Sequence, residues 1–391
     1  MESSSNGQRV VVILGAGASR PAIPLAENLL RDIIEQHYPT TDAPTRDGDR
    51  HLESGDYILK ALWECNGQPK NFERVLDLAL TEADEFHPWR WDREAWLTAA
   101  HQAAQLVAIK ITNALDAVSD HTRMPSVQLL QRIVSMPGII TIASLNWDDL
   151  PLDVPQILWY DGFDRRATTD PVPFDVAFAE HRHQWDRRLF WLHGSIHLNR
   201  QFILSGPDSG AFDFRWVADP RKALHGWVIG QRAGQDRTAF DLPIITGGQK
   251  TTQVFRRPFF DYWSGLYEEL RGATVLVAIG YSGQDSHLNQ LVAEALRANT
   301  DLRRVVWVGW DETPYQDDIR RQFGPLLVRV FGLPQYSWAL EYHGSGVFRE
   351  LRPCVIRPED PPFVPTWACL TGVESSATPQ GLDEWERLVR D

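Results

Sequence analysis

Three polar side chains of this sequence, Asn146, Asp148 and His193, could together break a bond between a ribose and a nitrogen base. That reaction creates an oxocarbenium-like centre, so a catalyst must hold the sugar and direct a nucleophile to one face of it. The neutral amide of Asn146 can donate and accept at once, and so can bridge a ribose hydroxyl and a water. The imidazole of His193 can take a proton near neutral pH, and Asp148 can balance positive charge or position either partner.

Five apolar runs separated by predicted helices must supply the frame for these side chains. The runs cover residues 9–14, 138–143, 189–192, 273–279 and 304–309, and helices are predicted over residues 24–36, 259–270 and 286–296. Strands that alternate with helices indicate a parallel sheet. We therefore expect an α/β fold with a doubly wound, mostly parallel Rossmann-like sheet.

The rest of the chain is expected to surround this sheet. Residues at about 56–134 have a helical pattern and predict a helical insertion, and residues 198–242 look rich in loops. The proline-rich residues 331–391 predict an irregular C-terminal extension, and an oligomer or partner contact is the role expected of it. The expected organisation is a Rossmann-like domain of residues 1–330 followed by this extension.

Polar or glycine residues follow four of the predicted strands. The four groups are Gly15 to Ser19, Asn146 with Asp148, His193 with Ser195, and Gly280 to Asp285. In open α/β sheets, ligands bind beyond the carboxyl ends of the strands. The sequence therefore predicts that all four groups converge on one crevice.

Each of these residues also has an ordinary structural interpretation. Asn146 could form a turn, His193 could end a strand with its ring satisfied by a backbone carbonyl, and Asp285 could cap the helix that follows it. Their predicted convergence at one sheet edge is what favours a functional role for the set.

The glycine-rich turn after the first strand predicts a cradle for nucleotide phosphates. Gly15 and Gly17 can adopt positive φ, and they have no side chain that would shield the backbone. Backbone N–H groups and the N-terminus of the next helix can therefore face a pyrophosphate. A dehydrogenase would have a third glycine where this chain has Arg20, and an acidic residue at the end of a second strand. Glu35 instead lies in a helical pattern, so a hydride-transfer enzyme is disfavoured.

Composition excludes further classes of function and of location for this protein. The chain has 391 residues, a net charge of −13, 16 tryptophans and three separated cysteines. The acidic balance argues against general nucleic-acid binding, and the cysteines form no disulfide framework or four-cysteine zinc site. No apolar run is long enough for a signal peptide or a membrane span, so we expect a cytoplasmic, soluble protein. The tryptophans favour self-association.

Four short motifs of the chain resemble those of the sirtuin family. They are Gly15-Ala-Gly-Ala-Ser19 with Pro24, Ser144-Leu-Asn-Trp-Asp148, Leu192-His-Gly194, and Gly280-Tyr-Ser282 with Asp285. Deacylating sirtuins carry a zinc ribbon between the histidine and the last motif, and this chain has no cysteine there. What remains resembles the bacterial sirtuin-like effectors of antiphage defence, which also have counterparts of Phe72-Glu73, of residues 243–245 and of Lys250.

The resemblance implies an NAD+ glycohydrolase that cleaves NAD+ to nicotinamide and ADP-ribose and so depletes an infected cell of NAD. It implies that Asn146 and His193 are catalytic with support from Asp148, and that no metal is needed. The residues expected to contact NAD share a place at the strand ends: Gly15, Ala16, Gly17, Ser19, Pro24, Ser195, Gly280, Tyr281, Ser282 and Asp285. Trp310 stands where sirtuins place an asparagine on the adenosine ribose.

The resemblance further implies a homo-oligomer, with a partner such as a HerA-type ring ATPase or a short Argonaute. Two other functions stay open. One is a zinc-free sirtuin deacylase, which would need an apolar tunnel for an acyl-lysine. The other is a non-catalytic module that binds NAD or ADP-ribose and gates a partner protein.

Overall fold

The computed structural model describes residues 8–19, 22–23, 104, 106–167, 170–204, 210–223, 254–281, 285–302, 304–309, 352–357 and 366–369. The predicted helix 24–36 and most of the predicted helical insertion lie outside this part of the chain. So do Pro24, Ser282 and Trp310, and the family counterparts at residues 72–73, 243–245 and 250.

The described residues contain ten strands. They are β1 (Arg9–Leu14), β2 (Ile139–Ser144), β3 (Val172–Pro173), β4 (Arg187–Trp191), β5 (Leu198–Leu204), β6 (Gly210–Trp216), β7 (Val275–Ile279), β8 (Arg304–Gly309), β9 (Arg352–Arg357) and β10 (Thr366–Cys369). One sheet has the order β10-β9-β8-β7-β1-β2-β4, and a second has the order β3-β6-β5. Strands β4, β2, β1, β7 and β8 run parallel, which confirms the predicted α/β sheet.

The central strands are apolar because the sheet is covered. Five of the six residues of β1 and all five of β7 are buried. Parallel strands buried on both faces have continuous runs of Val, Ile and Leu rather than alternating ones. That local composition is why their positions could be predicted from the sequence.

Helices pack around these strands. The described α-helices are α1 (Pro125–Val134), α2 (Phe178–His181), α3 (Pro220–Ala223), α4 (Phe259–Arg271) and α5 (Ser286–Arg297), and residues 106–116 are also helical. Short 3₁₀ helices cover Ala16–Ser19, His121–Arg123, Leu150–Asp153 and Arg182–Gln184. Helix α4 packs on β4 through an aromatic cluster of Phe178, Phe190 and Tyr262.

Two segments are more regular than the sequence suggested. Strands β5 and β6 form an antiparallel pair within the stretch expected to be rich in loops. Strands β9 and β10 lie in the extension expected to be irregular, and they add two antiparallel strands beyond β8. In both cases nearby glycines or prolines obscured short runs of strand-forming residues, and pairing with a neighbouring strand decided the conformation.

None of the helices in the described segments is both long and apolar enough to cross a membrane.

Candidate active site

Four neighbouring strands end at the same level of the sheet. In the register of the parallel pairs, Leu14 lies opposite both Ser144 and Ile279, and Ser144 lies opposite Trp191. The chain therefore leaves β1, β2, β4 and β7 along one edge. The strand order reverses between β1 and β7, which is where open α/β sheets form a ligand crevice.

The glycine turn after β1 is packed against the end of β7. The N–H of Gly15 donates to Ile279 O at 2.9 Å, and the N–H of Gly17 donates to Gly280 O at 3.0 Å. A Cβ at Gly15 would lie 2.6 Å from Gly280 O. Gly280 has a φ of +62°, and a Cβ there would lie 2.1 Å from Ala18 N.

These contacts show that the glycines of this turn are needed for a different reason from the one that the sequence predicted. In this contact it is Gly280 that has positive φ, whereas neither Gly15 nor Gly17 has it. The N–H groups of Gly15 and Gly17 bond to the backbone at β7, so they are not directed at a phosphate. Glycine is needed here for close backbone approach. Contact of Gly15, Ala16 and Gly17 with a nucleotide stays a prediction, and of these three residues Ala16 is the exposed one.

Ser19 links the two predicted catalytic residues that follow β2. Asn146 Nδ2 donates to Ser19 Oγ at 2.8 Å, and Ser19 Oγ donates to Asp148 Oδ2 at 2.5 Å. All three residues are buried. The hydroxyl of Ser19 thus orders Asn146 and Asp148, and its expected direct contact with NAD stays a prediction.

One acceptor atom in this chain of hydrogen bonds has no partner. Asn146 Oδ1 is buried and accepts no hydrogen bond from any described residue. Buried polar atoms nearly always have a partner, and an exception calls for an explanation. A hydroxyl or a water that enters the crevice would supply the missing donor.

Asp148 is poised to change its charge near neutral pH. Burial raises the pKa of Asp148 from the ordinary 3.8 to about 7. The hydrogen bond from Ser19 opposes this rise, and the neighbouring carboxylate of Asp149 adds to it. A carboxyl group that titrates near 7 can give or take a proton at the pH of a cell.

His193 lies on the turn that ends β4. Gly194 follows it with a φ of +85°, and the N–H of Gly194 donates to Trp191 O at 3.2 Å. The histidine is 5% exposed. Its Nε2 lies 2.7 Å from Asp285 Oδ2 but makes no aligned hydrogen bond with a described residue, because the oxygen lies off the N–H axis.

Two other predicted NAD contacts have clear structural roles. Ser195 is fully buried, and its Oγ accepts from His197 N at 3.3 Å. The hydroxyl of Tyr281 donates to Asn289 Oδ1 at 2.5 Å and lies 3.3 Å from Asp285 O. Tyr281 thus holds the segment after β7 against α5. Nothing in this geometry tests whether either residue also touches NAD.

A second pair beside the site, a buried histidine with a partly exposed carboxylate, was missed by sequence reasoning. His197 stacks on Trp216 with ring centres 4.5 Å apart, and its Nε2 lies 3.0 Å from Asp149 Oδ2. Burial opposes ionisation of Asp149, but the hydrogen bond and charge of His197 outweigh it and lower the pKa of Asp149. The signal in the sequence was the pair of adjacent acids, Asp148 and Asp149. Two neighbouring carboxylates do not point to the same place, so one of the two was bound to have a different partner.

The predicted site residues therefore divide into those that the structure brings together and those that it uses as supports. Asn146, Asp148 and Ser19 form one cluster, and His193 with Asp285 forms another. Among the described residues, no group of three or more His, Cys, Asp or Glu side chains could hold a metal ion. Neither a protein-family model nor a curated protein matches this chain.

Proposed function

We propose that this protein is an NAD+ glycohydrolase that cleaves NAD+ to nicotinamide and ADP-ribose. The observation that supports the proposal most is the buried Oδ1 of Asn146 at the carboxyl edge of the Rossmann-like sheet, which has no hydrogen-bond partner among the described residues and to which a sugar hydroxyl or a water could donate. The four motifs that resemble sirtuins provide the identity of the nucleotide, which the fold alone does not.

The charge changes during cleavage of the bond to nicotinamide are compatible with the side chains of Asn146 and Asp148. The C–N bond to nicotinamide breaks with its electron pair leaving on the base, which departs neutral and leaves an oxocarbenium-like ribose. The side chain of Asn146 stays uncharged beside the positively charged nicotinamide ring, so it does not act as a counterion to that ring. An ionised Asp148 would stabilise the positive centre through space, and its pKa of about 7 keeps a large share of it ionised at neutral pH.

A water molecule completes the reaction. Its oxygen forms the new bond to the ribose carbon, and it loses one proton to a base. His193 is the candidate base, because an imidazole can take a proton near neutral pH and because His193 follows β4, the neighbour of the strand that Asn146 follows. Asn146 Oδ1 could accept the other hydrogen of that water or a ribose hydroxyl.

The test is to incubate the purified full-length chain with NAD+ and to follow free nicotinamide. We expect release of nicotinamide and ADP-ribose in equal amounts, either from the chain alone or after addition of a candidate partner. Binding of NAD+ without release of nicotinamide under any condition would contradict the proposal. It would favour the non-catalytic module that binds NAD or ADP-ribose and gates a partner protein. Removal of an acyl group from a lysine peptide would favour the deacylase.

We also propose that NAD depletion serves antiphage defence and that the protein works as a homo-oligomer, with a partner such as a HerA-type ring ATPase or a short Argonaute. This part of the proposal is supported by the resemblance alone. Measurement of NAD in infected cells with and without the protein tests the first point, and light scattering of the purified chain tests the second.

A further inference from the structure

The two carboxylate oxygens of Asp285 contact different parts of the molecule. Oδ1 accepts hydrogen bonds from the N–H groups of His287 and Leu288, each at 3.0 Å. Oδ2 lies 2.7 Å from His193 Nε2. The residue is therefore both the N-cap of α5 and a neighbour of the candidate base.

The cap fixes the position of the carboxylate. Helix α5 has 12 residues, and its first N–H groups have no partners within the helix. The positive end of the helix also favours a negative charge at this point. Tyr281 binds to Asn289 on the same helix, so the segment before the cap is tied to α5 at a second place.

The pair joins the ends of two strands that are not neighbours in the sheet. His193 follows β4 and Asp285 follows β7, and strands β2 and β1 lie between them in the sheet. With neighbouring strands about 4.8 Å apart, the two ends are separated by three strand spacings, roughly 14 Å. A contact across that span is not a consequence of strand pairing. Both side chains are also almost fully buried, at 6% and 5% exposure.

We propose that Asp285 is the positioning residue of His193. The carboxylate holds the proton of the neutral imidazole on Nε2, and this leaves Nδ1 as the atom that takes a proton from the attacking water. A histidine nitrogen that faces a carboxylate carries the proton, and the other nitrogen is then the base. This inference rests on the proposed function of the same site.

Substitutions at position 285 can separate the two roles of the side chain. Asparagine and serine are good N-caps, as aspartate is. Asparagine removes the charge that faces His193, and serine is too short to reach the ring. Asp285→Asn and Asp285→Ser should therefore keep the helix capped and disturb only the histidine, whereas Asp285→Ala removes both contacts.

The first measurement does not depend on turnover. The ¹⁵N shifts of the His193 imidazole, identified by their absence in His193→Gln, report which nitrogen carries the proton. We expect the Nε2–H form in the wild-type protein and a substantial share of the Nδ1–H form in Asp285→Asn. Identical imidazole shifts in the two proteins would overturn the proposal, even if the wild-type protein hydrolyses NAD+.

The second measurement is steady-state nicotinamide release. We expect Asp285→Asn and Asp285→Ser to lower kcat by about 10² to 10⁴ with KM changed less than about threefold, since the base is misoriented and the substrate contacts remain. If Asp285 were only a cap, both variants would keep near-native kcat, which would overturn the proposal. Thermal unfolding of each variant verifies that the fold is intact.

The two proposals can fail separately. Absence of nicotinamide release from the wild-type protein would contradict the glycohydrolase, while the imidazole spectra would still decide the role of Asp285. Release from the wild-type protein with unchanged kinetics in Asp285→Asn would contradict the positioning role alone.

Discussion

Asn146 and Ser19 follow neighbouring parallel strands, and the amide Nδ2 of Asn146 donates to the hydroxyl of Ser19 at 2.8 Å. Because that hydroxyl gives its own proton to Asp148, it can only accept from Asn146. The amide is therefore fixed with its nitrogen, and not its oxygen, toward Ser19. Ser19 thereby decides that the oxygen of Asn146, and not its nitrogen, would be the atom to bind a further group.

Loss of the Ser19 hydroxyl should affect both stability and turnover. In Ser19→Ala, Asp148 loses its hydrogen bond while still buried, which costs about 1–3 kcal/mol in the free energy of unfolding. Nicotinamide release should also fall, since the Asn146 amide is no longer held. Urea unfolding and the NAD+ assay measure the two effects. Ser119→Ala, at an exposed position, is the matched control, and equal behaviour of the two variants would contradict this role.

Asn146→Ala and His193→Ala should each lower nicotinamide release by at least about 10²-fold and leave the fold intact. Both side chains lie at the ligand edge of the sheet rather than within its apolar core. The controls are Asn113→Ala and His183→Ala, which change the same residue types at exposed positions. A near-native rate in either site variant would show that the residue is not catalytic.

The raised pKa of Asp148 predicts how stability depends on pH. A folded-state pKa of about 7 against 3.8 means that the unfolded chain releases this proton more easily. The contribution of Asp148 is favourable below pH 3.8 and is lost as the pH rises through 7. Between pH 5 and pH 8 the loss amounts to about 3 kcal/mol at most.

Asp148→Asn removes this titration and keeps an acceptor for Ser19. Its free energy of unfolding should therefore fall less than that of the wild-type protein between pH 5 and pH 8. Urea unfolding of both proteins at the two pH values measures the difference, and Asp301→Asn is an exposed control. Parallel pH profiles for wild type and Asp148→Asn would rule out a raised pKa.

Gly280 should not tolerate a side chain. Its φ of +62° is unfavourable for other residues, and a Cβ would lie 2.1 Å from the backbone nitrogen of Ala18. Gly280→Ala should cost at least about 1–3 kcal/mol and move the turn that holds Ser19. In the control Gly272→Ala, the added Cβ meets the flexible side chain of Arg9 at 2.9 Å. Similar melting temperatures for the two variants would contradict the packing argument.

The sequence by itself determined the frame of the protein. The central strands and helices α4 and α5 could be predicted closely, because burial and helical period leave a local pattern in the chain. It also determined that Asn146, Asp148 and His193 come directly after strands, and the register then placed those strand ends at one level.

Only the tertiary structure decided how the residues at that edge are paired. The bonds of Ser19 to Asn146 and Asp148 join residues more than 120 positions apart, and the contact of His193 with Asp285 crosses two intervening strands. The glycine turn likewise lies against β7 for reasons absent from its own sequence. Local patterns fix which elements form, whereas the partner of a polar side chain depends on which distant elements the fold brings beside it.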